Sequence, residues 1–140
     1  MNNNNGYADR LQELLTLTVK EQASDLHISC DHPPVLRVQG TLIPLLKQKK
    51  ITPEDAEGLA RVLMQDDKYG RFLKEKEIDF SFNFEGTARF RVNIFFQKGV
   101  ISCALRLVPP KIPTIEELNL PSILHEFAKA NQGFVLITGP

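Results

Sequence analysis

Net charge is the first thing this sequence lacks: lysine plus arginine total 17, and aspartate plus glutamate total 17. With the two balanced, no global field draws the chain to nucleic acid or to an acidic membrane, so nucleic acid is set aside as a partner and any anion site must be local. Cysteine occurs only twice. Cys30 and Cys103 both fall on apolar rows of predicted strands, where a free thiol packs as a small hydrophobe. Three scattered histidines add too little to build a structural zinc site, and no metal ligand is assigned. There is no apolar run long enough to span a bilayer, and MNNNNGYADR lacks the charged start and apolar core of a secretory signal. A cytoplasmic location is the expectation.

What is present is ordinary for a soluble globular protein. The 140 residues are 42% hydrophobic and 24% charged, enough for one well-buried domain and part of a second. The chain is organised around Thr87 to Val108, TARFRVNIFFQKGVISCALRLV. Ala88, Phe90, Val92, Ile94 and Phe96 alternate with Thr87, Arg89, Arg91 and Asn93, the period of a half-buried strand. Ile101, Cys103, Leu105 and Leu107 form the returning apolar row. A two-residue turn at Lys98 and Gly99 sets Leu107 opposite Phe90, Leu105 opposite Val92 and Cys103 opposite Ile94. The same register sets Arg106 directly across from Arg91. Like charges so placed repel, and the repulsion must be offset by Asp79 and solvent or by a bound anion.

Residues 1–6 read as a disordered polar leader. An amphipathic helix follows from Tyr7 to about Glu21. ASDLHISC switches to period two, with Leu26, Ile28 and Cys30 toward the core and Asp25, His27 and Ser29 opposite; His27, beside Asp25, reads as a hydrogen-bonded structural histidine. PVLRVQG and TLIPLL are the next strands, hinged at Gln39 and Gly40. Thr52, Pro53, Glu54 and Asp55 start a helix whose buried stripe is Ala56, Leu59, Ala60, Leu63 and Met64. A shorter helix spans about Lys68 to Lys76. IDFSFNFE is a strand joined to the hairpin by Glu85, Gly86 and Thr87, which places Ser81 opposite Arg91 and Asp79 one diagonal step away. The centre of the polar face then carries Arg89, Arg91 and Arg106 against one carboxylate, Asp79.

After Val108 the texture changes. PPKIPTIEELNLP (109–120 and the following proline) is a proline-rich linker holding one helical turn, Ile115 to Leu118, behind a capping box of Thr114 and Glu117. Pro121 restarts a helix with Ile123, Leu124 and Phe127 on one face, and GFVLITGP is a continuous apolar run suited to a doubly covered strand. That run should be exposed, swapped or loosely docked in this chain. A phosphate-binding loop G-x-x-x-x-G-K-[ST] takes its first glycine from the end of such a strand, a place that Gly139 and Pro140 could fill.

Taken in order, ASDLHIS, PPVLRVQG, IDFSF, RFRVN, the RLVPPKIPTIEELNLP linker and GFVLITGP resemble the N-terminal half of the type IV pilus retraction ATPases of the secretion-ATPase superfamily. The resemblance covers nearly the whole chain from Ala23 onward. It implies an α+β fold: a PAS-like antiparallel sheet with helices on one face (residues 7–108), the linker (109–120), and the first helix and strand of a RecA-like ATPase domain cut at its phosphate loop (121–140). It implies a homo-hexamer in which the N-terminal domain packs on the neighbouring subunit's ATPase domain, at the inner face of the cytoplasmic membrane against a pilus platform protein. ATP with Mg2+ would be the nucleotide. Carried over by position, Arg91, Arg106 and Arg89 would reach the nucleotide phosphates at the interface; Arg37 is a further candidate there, and Gly139 and Pro140 belong to the phosphate loop. The Walker lysine, catalytic glutamate and metal ligands of the family have no counterpart in 1–140, so the segment alone should be inactive. The readings that need no nucleotide are a stand-alone PAS-like sensory or protein-interaction module and an anion-binding regulatory domain. In these the arginines form a solvated, ion-paired sheet face.

Overall fold

A computed structural model describes residues 4–109 and 111–139. The chain divides into two compact units, Met1–Pro110 and Lys111–Pro140. In the first, α1 (Asn4–Lys20) is followed by β1 (Asp25–Ile28), β2 (Val35–Val38), β3 (Thr41–Pro44), α2 (Pro53–Glu75), β4 (Glu77–Phe84), β5 (Ala88–Gln97) and β6 (Val100–Val108). The six strands form one sheet in the order β3-β2-β1-β6-β5-β4, antiparallel at every pairing. Two three-strand meanders are thus joined at the sheet centre by β1 and β6, the first and last strands. The class is α+β, as the resemblance implies.

Alternation decides which face is covered. Leu26, Ile28, Leu36, Phe90, Val92, Ile94, Cys103 and Leu105 are all buried, and α1 and α2 pack on the sheet against them. The helices bring Leu11, Leu14 and Leu15 from α1 and Ala56, Leu59, Ala60, Leu63, Met64 and Phe72 from α2. Each fully buried Leu, Ile or Phe is worth about 1.5–3 kcal/mol of transfer free energy, so the inward rows fix the register of every central strand.

The predicted hairpin registers are those found. Phe90 pairs with Leu107, Val92 with Leu105, Ile94 with Cys103 and Arg91 with Arg106, while Phe84 pairs with Ala88 around a three-residue loop and Ser81 with Arg91. The Lys98–Gly99 turn has φ of 51° and 83°, the doubly positive geometry whose twist suits a two-residue hairpin and favours glycine in second place. Thr52 and Asp55 close a reciprocal capping box at the start of α2. Gln65 (φ 58°, ψ 177°) breaks α2 internally, which is why the pattern shows two helical stretches there.

Some boundaries differ from expectation. α1 begins at Asn4, so three residues assigned to a leader are helical, and Met1 to Asn3 lie outside the described residues. The added turn has an anchor: the Tyr7 ring lies on Gly58 of α2, where a Cβ would come within 2.4 Å of ring atoms. In the second unit Thr114 and Glu117 do form the capping box (Glu117 N to Thr114 Oγ1 3.2 Å, Thr114 N to Glu117 Oε2 2.9 Å). The helix expected from Pro121 is only Leu124–Lys129 (α3), because the intervening residues make tighter i to i−3 turns such as Leu124 N to Pro121 O. The run from Phe134 to Ile137 is not a strand and is exposed, Phe134 by 87%. A strand exists only through its ladder, and no described segment pairs with this one.

The Tyr7 contact generates a test. Gly58→Ala gains helix propensity but overpacks the α1–α2 contact, for a net loss of about 1 kcal/mol in denaturant unfolding. In a Tyr7→Ala background the same substitution should become stabilising; a gain with Tyr7 in place would contradict the packing described.

Candidate functional site

The uncovered face of the sheet carries the charged row. Across five strands the direct partners are Arg37, Asp25, Arg106, Arg91 and Ser81, with Val35, His27, Ala104, Asn93 and Asp79 forming the adjacent row. Because side chains alternate, every member of both rows points away from the helices. A shallow depression of about 320 Å3 opens between them, lined by Asp25, His27, Asp79, Arg91, Asn93, Ala104 and Arg106.

Arg91 and Arg106 are brought together as the register requires, and two carboxylates offset their repulsion. Arg91 donates from Nε to Asp79 Oδ1 (3.1 Å) and from Nη2 to Asp79 Oδ2 (2.8 Å). This is the diagonal contact expected from the sequence. Arg106 has a different partner: its Nε donates to Asp25 Oδ1 at 3.0 Å. Arg37 Nε stands 3.4 Å from Asp25 Oδ2, and the Ser24 hydroxyl donates to that oxygen at 2.8 Å. Asp25 is therefore the partner of the charged row that strand periodicity does not reveal. It lies 81 residues from Arg106, and only the pairing of β1 with β6 joins them. The signal available was its position opposite Leu26 and Ile28.

The two carboxylates sit in unlike surroundings. The Asp79 side chain is 44% exposed and that of Asp25 only 11%. Burial pushes the Asp25 carboxyl up, but hydrogen bonds from Ser24 and Arg106 together with the Arg106 charge outweigh it, holding it below the usual 3.8. The hydrogen bond from Arg91, with its charge, likewise holds Asp79 low.

The other candidates are placed apart. Arg89 donates from Nη2 to Ser81 Oγ at 3.1 Å and lines a second depression with Asn83, Gly86, Thr87 and Val108. Arg37 reaches the row but also donates from Nη1 to the Gly40 carbonyl at 3.2 Å, which ties it to the β2–β3 turn. His27 departs from expectation, since its Nε2 is buried with no hydrogen-bond partner among the described residues. Its neighbours across the strands are Val35 and Ala104, whose side chains offer no acceptor. Gly139 is exposed in the second unit, and Pro140 lies outside the described residues.

No protein-family model matches the chain. It is 37% identical over 134 residues to the type IV pilus retraction ATPase PilT of Pseudomonas aeruginosa, covering 93% of this chain and 38% of that protein. The chain is homologous to the N-terminal part of the type IV pilus ATPases. PilU of the same organism is 34% identical over 128 residues, covering 91% of this chain and 33% of PilU. A crystal structure of the pilus retraction motor PilT with bound ADP superposes with a TM-score of 0.73 at 34% identity, over 92% of this chain and 38% of that one. DotB of Legionella pneumophila (TM-score 0.66, 24% identity, 91% of this chain and 36% of DotB) shares the fold. The chain thus spans 38% or less of the length of each of these relatives. No helix among the described residues is long and apolar enough to cross a membrane.

The Asp25 arrangement predicts a pH signature. A carboxyl whose folded value is depressed contributes stability that is present above its unfolded value and is lost as pH falls through the folded one. Asp25→Asn should cost about 1 kcal/mol at pH 7, discounted for the exposed arginine end of the pair. That cost should shrink as pH drops below 3.8. Denaturant midpoints from pH 7 to pH 2.5 check it; a difference independent of pH would contradict the ion pair.

Proposed function

We propose that this segment is the N-terminal domain of a hexameric motor ATPase that powers type IV pilus retraction, and that its uncovered sheet face supplies Arg91 and Arg106 to ATP bound by the neighbouring subunit. The observation that carries this reading is the direct opposition of two arginines on an uncovered face in a chain 37% identical to PilT. Guanidinium groups are planar, permanently charged and multi-donor, which suits them to the oxygens of a terminal phosphate. Arginines that meet a phosphoryl group only when two surfaces close neutralise charge that develops in the transition state. Hydrolysis is then coupled to movement of one subunit against the next.

The remaining parts follow from the same reading. ATP would be bound with Mg2+, and residues 1–140 hold no counterpart of the family's Walker lysine or catalytic glutamate, so they alone should not hydrolyse ATP. Gly139 and Pro140 open the phosphate loop. Arg89 braces the Ser81 end of the row, and Arg37 supports the other end through Asp25. The assembly works in the cytoplasm at the inner face of the membrane, against a pilus platform protein.

In the full-length protein, Arg91→Ala and Arg106→Ala should each lower kcat for ATP hydrolysis about 100-fold while size-exclusion chromatography still shows the hexamer. Unchanged turnover in an intact hexamer would overturn the role of the arginine face.

A further inference from the structure

The two central arginines are held in unlike ways. Arg91 commits Nε and Nη2, one whole edge of its guanidinium, to Asp79, a carboxylate 44% exposed. Arg106 commits only Nε. Among the described residues its Nη1 and Nη2 make no side-chain hydrogen bond, and the side chain is 71% exposed. Its partner is the more buried carboxylate, and that carboxylate is itself fixed from two sides by Ser24 Oγ and Arg37 Nε.

A guanidinium has five N–H donors and more than one edge that can grip two oxygens. One held at Nε keeps its terminal pair of nitrogens available for phosphate. One held along the Nε/Nη2 edge keeps the outer hydrogens of its Nη1/Nη2 edge as well, so both arginines can present a terminal edge to phosphate. Release differs in cost. Asp79 can rehydrate when Arg91 leaves, whereas Asp25 would be left buried and short of compensating charge.

We propose that Asp25 is a positioning residue for Arg106: it grips Nε, so that Arg106 meets the terminal phosphate of a nucleoside triphosphate with its terminal nitrogens already oriented, while Arg91, held by the exposed Asp79, is the arginine free to change partner. The inference rests on the reading that the arginine face meets nucleotide. It divides the two roles, with Arg106 the preset contact and Arg91 the releasable one. Ser24 belongs to the same device, because its hydroxyl sets the orientation of the Asp25 carboxylate.

The test uses ATP hydrolysis by the full-length hexamer. Asp25→Asn keeps the shape and removes the charge that grips Arg106; kcat should fall about tenfold with KM for ATP changed less than twofold, since the orientation matters in the transition state. In an Arg106→Ala background the same substitution should have no further effect on kcat, which a merely structural role would not reproduce. If Asp25→Asn fails to assemble, Ser24→Ala is the milder variant: a two- to fourfold loss of kcat, again abolished when Arg106 is absent. An equal loss with and without Arg106 would overturn the proposal, as would full kcat in Asp25→Asn, or in Ser24→Ala where that variant stands in, when Arg106→Ala is crippled. If Arg106→Ala itself turns over normally, the arginine-face reading falls first and the positioning role with it.

Discussion

The ladder between β1 and β6 is the contact on which the rest depends. It joins the two meanders at the centre of the sheet and sets Leu26 against Leu105 and Ile28 against Cys103 in the core. On the other face the same pairing sets Asp25 against Arg106. One register therefore determines both the apolar layer under the helices and the charge pattern on the open side. A slip of one residue would invert both at once, so the selection that burial exerts on the core also fixes the arginine row.

That row concentrates positive charge without holding it rigidly. Arg91 and Arg106 are direct cross-strand partners, and each turns to a carboxylate on its outer side, Asp79 and Asp25 respectively. Exposed ion pairs stabilise a fold only weakly, so the Arg91 pair is cheap to break when a phosphate offers stronger charge-assisted bonds. The Asp25 pair is different because it is sheltered beneath the arginine. The face is thus built from one releasable and one anchored guanidinium, a division set by how deeply each carboxylate lies in the pleat.

Much of this was legible in the sequence where neighbours in the fold are neighbours in the chain. The β4–β5–β6 meander follows from period-two alternation and turn chemistry at Glu85–Thr87 and Lys98–Gly99, and its registers predict the Arg91–Asp79 contact. The break at Gln65 shows as two helical stretches, the start of α2 shows as Thr52 before Pro53 and two acids, and the cap of the linker turn shows as the Thr114–Glu117 spacing. What the pattern could not give is long-range pairing. Asp25 reads as a polar strand residue until β1 is known to lie beside β6, and His27 reads as hydrogen-bonded until its neighbours prove to be Val35 and Ala104. GFVLITGP has the composition of a covered parallel strand, yet composition supplies no ladder, and among the described residues Phe134 to Ile137 stand unpaired.

The most direct measurement is a structure of the full-length hexamer with an ATP transition-state analogue bound. The account predicts the terminal nitrogens of Arg106 and Arg91 within about 3 Å of terminal phosphate oxygens on the neighbouring subunit's nucleotide, with Arg106 Nε still on Asp25. A closed, nucleotide-bound interface in which the open sheet face points elsewhere and neither arginine meets phosphate would contradict it.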